Sequence, residues 1–156
     1  MPTQTAVRST KLPDVHKTEP EAVPAPVLNE KLRGAVAEIN IALDDALFDF
    51  NQYHLRNDAL ESLRKAAEII RRQISTQPGL QFQVEGHADE RGSPEYNLAL
   101  GDMRARKAQE FLLELGIPGG RLTLISYGES QPLCSEAEEA CWQKNRRAHL
   151  RVIGQR

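Results

Sequence analysis

The sequence predicts an α/β domain of the α+β kind, a two-layer sandwich in which a small mixed sheet carries its helices on one face. Two stretches with apolar residues at helical spacing alternate with stretches of period-two hydrophobicity. The resulting order is strand, helix, strand, helix, strand, strand, which a two-layer arrangement accommodates without crossed connections. The chain has 156 residues, of which 40% are hydrophobic, enough for one ordinary domain and a tail.

The first 26 residues are predicted to be a disordered, proline-rich linker. Five of the nine prolines lie there, among Thr, Lys and Glu and without apolar periodicity. Residues 27–44 are predicted to be a short amphipathic lead-in, with helical spacing of Leu28, Leu32, Val36 and Ile39; a short helix and simply the start of the fold are the two alternatives. The domain proper is predicted over residues 45–153.

The first strand and the first helix of the domain have clear local signals. Residues 46–50, Ala-Leu-Phe-Asp-Phe, predict a short apolar strand. Asp58 and Glu61 fit a capping box at the start of the helix, and Pro78-Gly79 ends it. The apolar positions at helical spacing are Leu60, Leu63, Ala67, Ile70 and Ile74.

The second strand alternates apolar and polar residues over 80–85, which predicts one buried face. A polar loop over 87–97 follows, and then a second amphipathic helix that Gly116 and Pro118 end. Two further strands are predicted over 122–127 and 148–152. The residues from Cys134 to Lys144 form an excursion before the last strand.

The charge balance excludes some classes of partner. Twenty Lys and Arg against 22 Asp and Glu give a net charge of −2, so a nucleic-acid partner is not expected. No stretch has the length and apolarity of a transmembrane helix, and residues 1–10 lack the apolar core of a signal peptide. If the protein is exported, its targeting segment is expected to be missing from this chain.

Cys134 and Cys141 are the two cysteines, seven residues apart. This spacing is neither a CxxC redox pair nor a four-ligand zinc pattern. A local disulfide is favoured, stabilising by roughly 2.5 kcal/mol and indicating an oxidising compartment. Two free thiols in a cytosolic protein are the alternative.

The loop over 87–97 is the candidate binding site, because it joins the carboxyl end of a strand to the amino end of a helix. Asp89 follows the strand, and Arg104 is expected in the first turns of the helix, so that both face one small ligand. A carboxylate and a guanidinium across a pocket suit a zwitterion such as an amino-acid head group. The alternatives are that the two residues pair with each other or that Asp89 caps a turn.

Catalytic and metal motifs are weak in this sequence. His87, Asp89 and Glu90 are too few for a zinc site, and the nucleophile-elbow, GxGxxG and Walker A patterns are absent. No metal and no cofactor is therefore expected, and His87 is predicted to be a loop residue bonded to the backbone. Near the last strand, periodicity does not say whether Arg146 or Arg147 faces the groove.

Several short motifs of this sequence occur in a fixed order over about residues 45–153. The motifs are Phe48-Asp49-Phe50, Gly86-His87-Ala88-Asp89, Tyr96-Asn97, Leu100-Gly101-Asp102-Met103-Arg104-Ala105, Ser126-Tyr127-Gly128 and Asn145-Arg146-Arg147-Ala148. Taken together, they closely resemble the OmpA-like domain, and within that family the peptidoglycan-associated lipoprotein branch.

The resemblance implies an OmpA C-terminal-like fold and a noncatalytic domain that binds the peptidoglycan stem peptide through meso-diaminopimelate. By motif position, Asp89 would hold the diaminopimelate ammonium and Arg104 its carboxylate. Supporting roles in the groove would fall to Phe48, Asp49, Arg91, Tyr96, Asn97, Asn145 and Arg146. A periplasmic protein of the Tol-Pal system, which ties the outer membrane to the cell wall through a lipid anchor absent from this chain, is the implied setting.

Three departures and two rival functions remain open. The amino terminus carries no acylated cysteine, Asn51 stands where the family usually has an acid, and the Cys134 to Cys141 excursion is unusual for the family. One rival is a protein-docking module of another envelope assembly, with a TolB-like propeller as a possible partner. The other is a hydrolase with Glu90 or Glu95 as general acid, which would need a second positioned carboxylate.

Overall fold

A computed structural model of the protein describes residues 30–155. The predicted linker over 1–26 lies outside the described residues. In chain order the elements are α1 Glu30–Ala42, β1 Ala46–Leu47, α2 Asn57–Thr76, β2 Leu80–His87, α3 Pro94–Glu114, a 3-10 turn Gly119–Arg121, β3 Leu122–Gly128, α4 Glu139–Asn145 and β4 Arg147–Gln155.

The four strands form one mixed sheet in the order β1-β4-β2-β3. β2 runs parallel to β3 and antiparallel to β4, and β1 pairs antiparallel with β4. Apolar residues of α1, α2 and α3 pack with those of the strands in one core. The predicted mixed sheet with helices on one face is confirmed. Among the described residues, no helix is long and apolar enough to cross a membrane.

The start of the domain differs from the prediction in two details. β1 is only two residues long, because the chain turns after Phe48. The predicted capping box is wrong: Arg56 is the residue at the N-cap of α2, and no side chain caps the helix there. The Asp58 carboxylate instead accepts a hydrogen bond of 2.6 Å from Nη2 of Arg56.

β2 is buried on both faces, whereas the alternation predicted one buried face. Phe82 and Val84 lie in the core shared with the helices, but Gln81, Gln83 and Glu85 are buried as well. The reason is that β2 lies between β3 and β4, whose side chains cover its second face. Nε of Arg151 on β4 lies 2.7 Å from the Glu85 carboxylate.

α3 begins earlier than expected. Oγ of Ser93 accepts a hydrogen bond of 3.1 Å from the backbone N–H of Tyr96, and Pro94 is the first helical residue. Arg104 therefore lies about three turns into the helix, and its placement in the first turns is wrong.

The excursion before the last strand contains a helix that was not predicted from the sequence. It includes the short helix α4, and a disulfide joins Cys134 to Cys141 at the start of this helix. The preference for a local disulfide is confirmed. Seven residues with few apolar positions give too short a periodic signal for helix prediction.

Two glycines bring α3 directly against the sheet. A Cβ on Gly86 of β2 would lie 1.7 Å from the carbonyl oxygen of Gly101 on α3, so a larger residue cannot be accommodated without moving the backbone. Oγ of Ser126 on β3 donates to the Leu98 carbonyl of the same helix at 2.7 Å. This close packing sets Asp89, two residues past β2, beside the helix that carries Arg104.

Candidate functional site

A groove of about 330 Å³ lies where the end of β2 meets α3 and the loop after β1. Asp89 and Arg104, the two residues singled out from the sequence, both line it. The other lining residues are Phe50, Asn51, Arg91, Gly92, Tyr96, Asn97 and Leu100.

Arg104 is the largest fully buried side chain of the described residues. Its guanidinium donates to three backbone carbonyls: Nε to Gln52 at 2.8 Å, Nη1 to His87 at 2.9 Å and Nη2 to Asp49 at 3.1 Å. These bonds tie the loop after β1 to the end of β2. Within residues 30–155, no carboxylate lies at ion-pair distance from Arg104.

The charge of Arg104 is disfavoured by its surroundings. Burial lowers the pKa of Arg104, and the nearby positive charge of Arg146 lowers it further, to about 10. The group is still cationic at neutral pH, because about 10 lies well above 7. A buried cation without an anionic partner is costly, and an anion bound in the groove would remove that cost.

Asp89 is also buried, and it is held by two arginines. Its Oδ1 accepts from the backbone N–H and Nε of Arg91 at 3.0 and 3.2 Å, and its Oδ2 accepts from Nη2 of Arg91 at 2.8 Å and Nη1 of Arg146 at 3.3 Å. Burial raises the pKa of Asp89, but the hydrogen bonds from Arg91 outweigh it and leave the pKa below its usual range. Asp89 thus caps a turn, as one alternative reading had it, and pairs with Arg91 and Arg146 rather than with Arg104.

Arg146 is the arginine of the last cluster that reaches the site. Its Nε donates to the Phe48 carbonyl at 2.8 Å, and its Nη2 lies 2.7 Å from the Glu139 carboxylate. Arg147 points elsewhere, with Nη2 3.3 Å from the Gln131 carbonyl.

Three predicted supporting residues, Phe48, Asp49 and Asn145, do not line the groove. The Phe48 ring lies under Arg104, with 5.3 Å from Cζ to the ring centroid. The Asp49 carboxylate is exposed and accepts from Nη1 of Arg56 at 3.1 Å. Asn145 holds the disulfide loop, because its side-chain amide bonds to both backbone groups of Cys134.

Tyr96 and Asn97 do line the groove, at the start of α3. The Tyr96 hydroxyl donates to the side-chain oxygen of Asn51. Nδ2 of Asn97 donates to Glu129 at 2.6 Å. Asn51, the departure from the family pattern, thus forms part of the groove wall.

The prediction for His87 is wrong, because this residue ends β2 and is buried. Its Nε2 lies 3.1 Å from Oε1 of Glu85, and its ring stacks on Tyr127 at 5.4 Å between centroids. Burial lowers the pKa of His87, although the Glu85 carboxylate opposes this. Only its backbone carbonyl takes part in the groove, through Arg104.

The aromatic contacts around Arg91 were not predicted from the sequence. The Arg91 guanidinium lies between the rings of Phe50 and Trp142, 3.9 Å from each centroid. Phe50 was part of the first predicted strand, and Trp142 lay in the excursion. Only the position of Phe50 within a family motif pointed toward the site.

Comparison with known proteins gives a consistent family. A model of the OmpA family matches residues 47–146. The peptidoglycan-associated lipoprotein of Agrobacterium fabrum is 42% identical over 111 residues, covering 71% of this chain and 60% of that protein. The one from Pasteurella multocida is 34% identical over 116 residues, covering 74% and 75%. The chain thus spans about 60% of the length of the curated relatives that match first.

Comparison with solved structures gives the same kind of fold. The peptidoglycan-associated lipoprotein from Burkholderia pseudomallei superposes with a TM-score of 0.65 and 31% identity, over 72% of this chain and 92% of that one. The C-terminal domain of Helicobacter pylori MotB superposes with a TM-score of 0.63 and 21% identity, over 70% and 83%. The second likeness shows the fold alone.

Proposed function

The chain belongs to the OmpA family, and from that premise we propose that its domain binds peptidoglycan without catalysis, through the meso-diaminopimelate residue of the stem peptide. The observation that carries the proposal is Arg104, a buried guanidinium that lines the groove and, among the described residues, bonds only to carbonyl oxygens. A diaminopimelate carboxylate would supply its missing counter-charge through charge-assisted hydrogen bonds.

Asp89 would bind the ammonium of the same residue. Its two oxygens already accept four N–H groups, which fills their usual capacity. The longest of these bonds comes from Nη1 of Arg146 at 3.3 Å. We expect the ligand ammonium to replace it, since Arg146 keeps its bonds to Glu139 and the Phe48 carbonyl.

The proposed affinity is modest. Two charge-assisted clusters of about 1.5–3 kcal/mol each, less the cost of ordering the ligand, correspond to roughly micromolar to millimolar binding. A cell wall repeats its stem peptide densely, so a protein held beside it gains effective concentration.

This behaviour suits a protein that ties two layers of the envelope together. We infer that the domain lies in the periplasm, joined by a lipid anchor to the outer membrane, as a component of the Tol-Pal system. The relatives named peptidoglycan-associated lipoproteins support this setting by their likeness to the chain. The Cys134–Cys141 disulfide agrees with an oxidising compartment.

We propose no hydrolytic role for Glu90 or Glu95. Glu90 is exposed and accepts a hydrogen bond of 3.0 Å from Nε1 of Trp142. Glu95 is exposed in the first turn of α3. A general acid of a glycosidase works in a shielded place opposite a second carboxylate, and neither glutamate has that setting.

The experiment compares two soluble stem peptides that differ at one residue, meso-diaminopimelate or lysine. Lysine retains the ammonium and lacks the carboxylate assigned to Arg104. In calorimetric titrations the wild type should bind the diaminopimelate peptide at least roughly tenfold more tightly. Arg104→Gln should bind both peptides weakly and equally, and Asp89→Asn should weaken both.

Arg106→Gln is the matched control, because Arg106 is a half-exposed arginine of the same helix that pairs with Asp102 at 2.8 Å. It should keep the preference for diaminopimelate. Circular dichroism establishes that each variant is folded. If Arg104→Gln unfolds, Arg104→Lys replaces it, and because lysine retains the charge but loses the fork of donors, it should keep only part of the preference for diaminopimelate. Equal affinity of the wild type for the two peptides would overturn the proposal.

A second candidate function is docking of a protein, such as a TolB-like propeller. The favouring observation is a set of exposed aromatic side chains: Phe50 and Tyr96 line the groove at 52% and 47% exposure, and Tyr53, in the loop after β1, is 42% exposed. Titration with a purified propeller tests it, in the presence and absence of saturating stem peptide. Tight binding by a propeller together with no binding of stem peptide would make docking the main function.

A further inference from the structure

We infer that Trp142 is a positioning residue of the groove and that the Cys134–Cys141 disulfide holds it in place; this rests on the proposed function. Trp142 does not line the groove. It acts through Arg91, which does line the groove and supplies three of the four N–H groups that Asp89 accepts.

The contact of Arg91 with two rings fixes the plane of its guanidinium. Cζ of Arg91 lies 3.9 Å from the ring centroids of both Phe50 and Trp142. Stacking uses the two faces of the guanidinium and leaves its N–H edge free for Asp89. The Arg91 side chain is about a third exposed, so without the rings solvent would compete for that edge.

Hydrogen bonds of Trp142 and of the next residue fix the position of the Trp142 ring. Its Nε1 donates to Glu90 at 3.0 Å, and its neighbour Gln143 donates to the Phe48 carbonyl at 3.0 Å. α4 has only seven residues, which is too short to be stable alone. The helix therefore depends on these contacts and on the disulfide at its start.

The disulfide connects α4 to a loop that is itself anchored. Asn145, the last residue of the helix, accepts from the backbone N–H of Leu133 and of Cys134 and donates to the Cys134 carbonyl. The loop, the disulfide and the helix thus form a ring that the hydrogen bonds of Asn145 to Cys134 close. Opening the ring removes the covalent link one residue from Trp142 and, among the described residues, leaves the amino end of the helix with the pair of Glu139 and Arg146 alone.

The first test separates stacking from bulk. Trp142→Phe retains an aromatic face over Arg91 and loses the bond to Glu90, whereas Trp142→Leu retains apolar volume and loses the π face. We expect Trp142→Leu to weaken binding of the diaminopimelate stem peptide about fivefold, in line with a partly shielded cation–π contact. Trp142→Phe should stay within about twofold of the wild type.

A double-mutant cycle distinguishes positioning from general structural loss. If Trp142 acts through Arg91, Trp142→Leu should have no further effect on affinity in an Arg91→Ala background. An equal fivefold loss in both backgrounds would overturn the inference, as would a Trp142→Leu variant that binds like the wild type. In either case the diaminopimelate preference and its dependence on Arg104 would stand.

The disulfide is tested with Cys134→Ser/Cys141→Ser. This variant should weaken the stem peptide to the level of Trp142→Leu, and adding Trp142→Leu to it should change the affinity by less than about twofold, because both act on the same contact. Thermal unfolding of each variant, followed by circular dichroism, gives the folded fraction for correcting the affinities. Wild-type affinity in the serine variant would show that the disulfide does not position Trp142.

Discussion

Two groups of charged side chains lie on opposite sides of β2, and only one of them leaves a charge unmatched. The sheet-face cluster consists of Glu85, His87, Arg151, His149, Asp45 and Arg147, whose Nε lies 3.6 Å from the Asp45 carboxylate. Its carboxylates are both paired closely: Glu85 with Arg151 at 2.7 Å and His87 at 3.1 Å, and Asp45 with His149 at 2.6 Å.

The groove cluster consists of Asp89, Arg91, Arg104, Arg146 and Glu139. Three guanidiniums there face two carboxylates, and Arg104 is the one that pairs with neither. Burial alone therefore does not distinguish a functional charge from a structural one, because both clusters contain fully buried charged residues. The distinguishing feature is whether the protein itself supplies the counter-charge.

The largest expected effect comes from a substitution that breaks the sheet-face cluster. Glu85→Gln should lower the free energy of unfolding by about 3 kcal/mol, since it removes a buried carboxylate that two neighbours contact. The affinity for the stem peptide should change less than about twofold, because the side chain of Glu85 faces away from the groove. Urea unfolding and calorimetric titration measure the two quantities.

Glu110→Gln is the control for that experiment. It removes the same charge from an exposed residue of α3 whose contact with Lys107 is 3.6 Å long, so a change below about 0.5 kcal/mol is expected. A comparable loss of stability in both variants would mean that burial and pairing of Glu85 contribute nothing.

The next largest effect comes from a ligand that supplies the missing counter-charge in the groove cluster. Diaminopimelate stem peptide at a hundred times its dissociation constant should raise the free energy of unfolding by about 2.7 kcal/mol. Glu85→Gln should show the same increment on its lower baseline, whereas Arg104→Gln at that peptide concentration should show almost none. An undiminished increment in Arg104→Gln would separate Arg104 from the ligand.

Lowering the pH should lower the free energy of unfolding through the sheet-face cluster. Burial raises the pKa of Glu85, but the bonds from His87 and Arg151 outweigh it and bring it to about 2, below its ordinary 4.5. The pKa of His87 is also lowered, from an ordinary 6.5, chiefly by burial. For both groups the unfolded chain binds more protons, so stability falls as the pH falls.

The two groups act in successive pH windows. Between about pH 6.5 and 4.5 the loss comes from His87, at no more than about 1.4 kcal/mol per pH unit, and below 4.5 Glu85 adds to it. Arg147 and His149 also face His87 and disfavour its protonation. His87→Gln should flatten urea-derived stability across the upper window, and a curve with the wild-type slope would show that another group titrates there.

The sequence predicted those parts of the molecule that depend on local pattern. The helices around Leu63 and Leu112 and the strand around Phe82 follow from periodicity alone. The boundaries did not: whether Asp58 caps a helix depends on Arg56, and the side chain of Arg56 also contacts Asp49, seven residues away.

The candidate site shows the same limit. Asp89 and Arg104 were found from loop position and family motif, but the partners of Asp89 were not. Arg146 is 57 residues away in the sequence and reaches Asp89 only because β4 pairs with β2. Trp142 could not be connected with Arg91 for the same reason, since that contact depends on a disulfide-bound helix rather than on any spacing.

The smallest expected effect concerns the edge of the sheet-face cluster. His149 and Asp45 are each about a quarter exposed, so solvent screens their contact and His149→Ala should cost about 1 kcal/mol or less. His149→Asn places an amide nitrogen where Nδ1 now lies 2.6 Å from Asp45, and should recover part of that loss. Urea unfolding of the two variants at pH 7 measures the difference, and a loss as large as that of Glu85→Gln would mean that pairing, rather than depth of burial, sets the contribution of each pair in the sheet-face cluster.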